Sequence, residues 1–146
     1  MRKAVRPLGN REKKSTFFGG AAILAAGIAI VKLIGADVLP DDQKLVIEIA
    51  RVIRVGFLQQ NAYHKDDTYV PLSKQLGMMK VMLYLYQSSR ALVAAQVPLS
   101  TILATGLFDK AARIKYDVPN DQPELLDAYT ADIDRTFADL RASRPA

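Results

Sequence analysis

The sequence predicts an all-α fold: a helical bundle-like domain preceded by an apolar N-terminal segment. Three observations lead there. From residue 37 onward, apolar and charged residues alternate at helical spacing. Breaks at Pro40, Pro71, Pro98 and Asp117 to Pro123 cut that stretch into helix-sized pieces. No stretch sustains a period of two, so essentially no β-sheet is expected.

Residues 1–16 are basic and polar, with Pro7 and Gly9, and read as unstructured. Residues 17–36 (FFGGAAILAAGIAIVKLIGA) are apolar and interrupted only by Lys32. Behind the basic stretch, the fifteen uncharged residues Phe17 to Val31 resemble a signal peptide or anchor, with small residues at Gly27-Ile28-Ala29. Spanning a bilayer takes roughly 20 residues, so the other reading is a buried helix of the domain.

A first helix follows Pro40. Asp41 and Asp42 suit its N-terminus, where carboxylates meet unpaired N–H groups. Leu45, Val46, Ile49, Ala50, Ile53 and Phe57 recur on one face and predict its buried side, with Glu48, Arg51 and Arg54 elsewhere on the wheel. Gln59 to Pro71 is polar and punctuated and reads as a connection. A long helix is predicted from about Leu72 to Ala95, with Leu76, Met79, Leu83 and Tyr86 as its stripe. Gly77 weakens that helix by roughly 1 kcal/mol relative to Ala. Met78, Met79 and Met82, with Tyr84 and Tyr86, resemble a soft binding surface, but their spacing favours core. After Pro98, short helices are predicted around Leu99–Ala104 and Phe108–Ile114. Asp117 to Pro123 is a turn-rich break. A last amphipathic helix carries Leu126, Tyr129, Ile133, Phe137 and Leu140.

Composition excludes several function classes. There is no cysteine, hence no disulfide or thiolate chemistry. The net charge of +5 invites a nucleic-acid reading, but all of the excess lies in the first fourteen residues, where Arg2, Lys3, Arg6, Arg11, Lys13 and Lys14 face only Glu12. A nucleic-acid surface needs its basic excess on the folded domain, so none is predicted. His64 with Asp66, Asp67 and Asn61 could form a general-base pair or a metal site in a loop. His64 is the sole histidine, so nothing completes a zinc set, and the plain alternative is a polar loop. The phosphate-binding pattern G-x-x-x-x-G-K-[ST] is absent, and Gly19-Gly20 and Gly27 lie in an apolar run. The chain by itself should therefore not hydrolyse ATP.

The segment Phe57 to Tyr69, FLQQNAYHKDDTY, resembles the F-L-Q-Q-N-A-F-H-x-x-D-T-Y motif of catalytic A subunits of V-type and archaeal-type rotary ATPases. Ile30–Leu45, Ser73–Lys80 and Ala112–Tyr116 (ARIKY) are similar to flanking family segments, so the likeness runs over roughly residues 30–140. The resemblance implies a C-terminal helical domain, residues 30–146, below a nucleotide-binding domain and facing the rotor. It implies coupling of ATP hydrolysis or synthesis to proton or sodium transport, with B subunits and the central rotor stalk as partners. Asp37, Val38, Leu39, Pro40, Asp41 and Asp42 fall where the related F-type beta subunit carries the acidic loop that pushes on the rotor. Tyr63 and Tyr69 fall where aromatic residues flank the adenine ring. ATP or ADP and magnesium belong to the parent protein, and no cofactor is assigned to this chain. The implied place is cytoplasmic and peripheral to the membrane.

Residues 1–29 are unlike the family, in which the helix before the Ile30 segment is amphipathic with charged residues among the apolar ones, whereas Ala21–Ile30 here carries no charge. One expectation is a truncated or rearranged reading frame. The other is a paralogue anchored by residues 17–36, a small membrane-anchored helical binding protein.

Overall fold

The computed structural model describes residues 38–143. The chain divides into a unit ending at Leu39 and a second unit of residues 40–146, to which every helix below belongs. The expectations for residues 1–29 and for the apolar segment 17–36 lie outside the described residues. Among the described residues there is no strand, and no helix is long and apolar enough to cross a membrane.

Among the described residues, six α-helices make up the domain. Helix α1 is Asp41–Ile53, α2 Lys65–Thr68, α3 Leu72–Ala94, α4 Leu99–Ala104, α5 Leu107–Asp117 and α6 Leu126–Ala142. The predicted long helix, the Leu99–Ala104 helix and the last helix thus stand where the sequence placed them. Helix α3 is the centre, and α1, α5 and α6 pack against it. The core joins Leu45, Ile49 and Val52 of α1 to Met78, Met82 and Leu85 of α3, Phe108 and Ile114 of α5, and Ile133 and Phe137 of α6.

Two predicted faces need correction. On α3 the buried residues are Lys74, Met78, Val81, Met82, Leu85, Ser89 and Leu92. Of the predicted stripe, Leu76 is 54% and Leu83 47% exposed, Met79 is half-buried, and Tyr86 packs half-buried against the edge of the core. The helix carries two apolar stripes, and periodicity alone does not choose between them. The core reading of Met78 and Met82 holds. On α1, Val46 and Ala50 are exposed, and Val52 takes the buried place between Ile49 and the half-buried Ile53.

The ends of the helices are built locally. After Ile53, α1 widens into a π-helical turn over Arg54–Leu58, closed by Gln59 N–H donating to the Arg54 carbonyl at 2.8 Å. Gly56 lies in that turn with no room for a side chain. A Cβ there would sit 2.9 Å from Met82 Cε and 3.0 Å from the Cα and carbonyl oxygen of Ala112. Gly56→Ala should therefore destabilise by about 1–3 kcal/mol through overpacking, because the α5 backbone must shift. Urea denaturation measures it. Gly77, read from sequence as a weak point, makes room for Leu126 of α6 to seat against α3.

Helix α3 ends in a Schellman motif. Val97 N–H donates to Leu92 O at 3.0 Å and Gln96 N–H to Val93 O at 2.9 Å, with Gln96 at φ 63°. The buried Val97 and Leu92 supply the apolar contact that goes with it. Gly106, at φ 75°, turns α4 sharply into α5, a conformation open to glycine at no steric cost.

Candidate functional site

The polar segment 59–71 is more than a connection. It contains α2, and a buried network of charged and polar groups fastens it to α3 and α5. His64 caps α2: its Nδ1 accepts from Asp66 N–H at 3.3 Å, and its ring meets that of Tyr116 edge-on at 4.7 Å. The single O–H of Thr68 has two carbonyl acceptors within reach, Ala62 O at 2.9 Å and His64 O at 2.8 Å.

Two lysines from the helices anchor this loop. Lys115 of α5 places its Nζ 3.1 Å from Asp67 Oδ2, with side chains 4% and 3% exposed. The same ammonium donates to Gln59 O and lies 4.8 Å from the centre of the Tyr116 ring. Asp67 Oδ2 also accepts from Asn61 N–H at 2.6 Å, and Asn61 Oδ1 accepts from Tyr63 N–H at 3.0 Å.

Lys74 of α3 is wholly buried. Its Nζ donates to Lys115 O and to Asn120 Oδ1, each at 2.9 Å, and to Asp66 O at 3.2 Å. An ammonium has three N–H groups, so its donors are all used. Lys115 O lies in the last turn of α5, where carbonyls lack helical partners and cations are favoured. Burial pushes the Lys74 pKa below the usual lysine value, opposed by Asp66 and Asp67. Asn120 donates onward to Tyr69 O at 2.7 Å and, through its own N–H, to Asp66 Oδ1 at 3.3 Å.

The network faces inward and the tyrosines outward. Tyr63 is 100% and Tyr69 78% exposed. The polar residues that suggested acid–base or metal chemistry are thereby placed. His64 caps a helix turn, Asp67 is paired with Lys115, and Asp66 is held by Asn120 and lies 3.8 Å from Lys65. Among the described residues no three His, Asp or Glu side chains cluster as metal ligands. Sequence reasoning missed Lys74, Lys115 and Asn120. The available signal was a lysine in register with core residues: Lys74 sits four before Met78, and Lys115 four after Ala111.

Asp41 and Asp42 of the acidic turn lie at the other end of α3. Of the turn's predicted residues, Asp37 is outside the described residues, Val38 is exposed, and Pro40 is the residue before α1. Leu39 is half-buried. The two aspartates differ. Asp41 Oδ2 accepts from Leu99 N–H at 2.8 Å and caps the first turn of α4, whereas Asp42 is exposed. Both line an open groove of about 620 Å³ with Arg90, Val93, Gln96 and Pro98.

Residues 27–103 match the family model of the C-terminal domain of V and A type ATP synthase. The chain is 49% identical over 92 residues to the V-type ATP synthase alpha chain 2 of Clostridium tetani, covering 63% of this chain and 16% of that one. It is 44% identical over 91 residues to the V-type ATP synthase alpha chain of Halothermothrix orenii, covering 62% and 15%. Over 112 residues it is 40% identical to the A subunit of the A-type ATP synthase of Methanopyrus kandleri, covering 76% and 19%. The chain thus spans less than a fifth of the length of these relatives. With more than half of its residues matched and its described part all helical, the chain belongs to the family of C-terminal domains of V- and A-type ATP synthases.

Proposed function

We propose that this domain acts as the rotor-facing lever of the catalytic subunit of a V- or A-type ATP synthase. The observation that carries the reading is the family match over residues 27–103, which includes both the acidic turn and the FLQQNAYHKDDTY loop. On this reading Asp37, Val38, Leu39, Pro40, Asp41 and Asp42 meet the central stalk, and Tyr63 and Tyr69 flank an adenine ring. The domain then couples ATP hydrolysis or synthesis to proton or sodium movement beside B subunits, peripheral to the membrane. The parent protein supplies the ATP or ADP site and magnesium.

The two aspartates divide the labour of the turn. Asp42 is the exposed charge that can meet basic groups on a shaft. Asp41 holds the turn to α4. Exposed charge pairs contribute about 0–1 kcal/mol and are screened by salt. A lever tip works through stiffness, which here comes from Pro40 and from the Asp41–Leu99 bond.

The test places residues 38–143 into a full-length catalytic chain of this family and follows ATP-driven rotation under load. Asp42→Ala should weaken coupling only modestly. Two glycines inserted beside Pro40 should weaken it more, because the tip then yields. A stalled rotor with Asp42→Ala and a silent glycine insertion would make electrostatics, not rigidity, the carrier of the contact. Normal coupling in every variant would remove the turn from the rotor interface.

A further inference from the structure

Helix α3 connects the tyrosine-bearing loop to the acidic turn. Its 23 residues contain no proline and run about 34 Å at 1.5 Å per residue. At the first turn, Lys74 binds three segments at once: Asp66 O of α2, Lys115 O of α5 and Asn120 Oδ1 of the break before α6. At the last turn, the Schellman motif leads into Leu99, whose N–H is held by Asp41 of the acidic turn.

Buried charge is a poor source of stability, since well-packed apolar residues in its place are often neutral or better. What an ammonium supplies and an apolar side chain does not is three directed bonds. A fully satisfied polar network of this kind rigidifies what it joins. From it, bonds run to both tyrosines. Lys74 reaches Tyr69 through Asn120, which donates to the Tyr69 carbonyl. Lys115 reaches Tyr63 through Asp67 and Asn61. Gln75, also on α3, adds a bond from Nε2 to Val70 O at 2.8 Å.

We propose that Lys74 is a positioning residue that welds the tyrosine-bearing loop 59–71 to the first turn of α3, so that this loop and the Asp41–Asp42 start of α1 at the far end of α3 move as one rigid body. The roles of the two ends rest on the proposed function; the rigid link between them does not.

The chain has no cysteine, so spin labels can be placed at will. Labels on Tyr69→Cys and Asp42→Cys report the distance between the two ends. A second pair, on Ser73→Cys and Asp42→Cys, reports α3 and the turn without the loop. With Lys74 present, both pairs should give a single narrow distance peak. Lys74→Met should abolish the narrow peak of the first pair and leave the second intact, with helical circular dichroism unchanged. Asn120→Ala keeps Lys74 but cuts the relay to Tyr69. It should do the same, and it decides the matter if Lys74→Met does not fold. A narrow first-pair peak in the folded variants overturns the proposal. So does loss of both peaks together, which would make Lys74 a general stabiliser. A failed rotation experiment with these distances as stated would reject the rotor reading and leave the link standing.

Discussion

Lys115→Met is expected to destabilise the domain by about 3–5 kcal/mol, the usual effect of removing one partner of a buried ion pair. The change removes the ion-pair partner of the Asp67 carboxylate, which is 3% exposed, and it takes the donor from Gln59 O. Domains of this size are stable by only about 5–15 kcal/mol, so a large share is lost. The thermal midpoint, followed by circular dichroism, should fall by at least about 12 °C. The double variant Lys115→Met with Asp67→Asn should recover part of the loss, because a neutral amide can still accept from Asn61 N–H and needs no ammonium. A loss below about 1 kcal/mol would put the pair in the class of solvent-screened surface bridges and contradict its buried geometry.

Phe137→Ala should cost about 3–5 kcal/mol, the range for truncating a buried aromatic ring. Phe137 is fully buried and, with Leu126 and Ile133, forms the face by which α6 packs on the rest of the core. Tyr129 and Leu140 pack only at the edge of the core, and polar ties of α6 such as Lys110 to Asp132 at 2.6 Å and Tyr84 to Asp134 lie nearer the surface. Such surface contacts contribute little and do not hold the helix once the ring is gone. Urea unfolding should then show a lower midpoint. If α6 has already come away in the native state, the slope falls too, since less surface remains to be exposed. An unchanged midpoint would mean that α6 contributes nothing to the cooperative core.

The helices were legible in the sequence because their ends are marked chemically. Pro40, Pro98 and the Asp117–Pro123 break stand where chain direction changes, and the spacing of Leu126, Ile133 and Phe137 gave the buried face of α6. The face of α3 was not legible. Leu76, Met79, Leu83 and Tyr86 make as good a helical stripe as Met78, Met82 and Leu85, and the buried set includes a lysine and a serine that hydropathy assigns to the outside. Which stripe is buried depends on acceptors brought from elsewhere: Lys115 O lies 41 residues and Asn120 Oδ1 46 residues along the chain from Lys74. The motif from Phe57 to Tyr69 was readable as a family string. Its polar residues looked like chemistry, because a one-dimensional reading does not show that His64 caps a helix or that Asp67 faces a buried lysine. The unequal roles of Asp41 and Asp42 were hidden in the same way, since Leu99 lies 58 residues beyond Asp41.

The proposed function gives this chain a mechanical part in a rotary catalytic subunit and leaves nucleotide chemistry to the parent protein. Calorimetric titration of the purified chain with magnesium-ATP tests that most directly. Two exposed tyrosines and no phosphate cradle offer stacking alone, worth roughly 1–3 kcal/mol per base. That corresponds to a dissociation constant weaker than about 1 mM. The account predicts no saturable heat below that concentration and no phosphate release. Micromolar binding, or steady turnover of ATP by the chain alone, would contradict it.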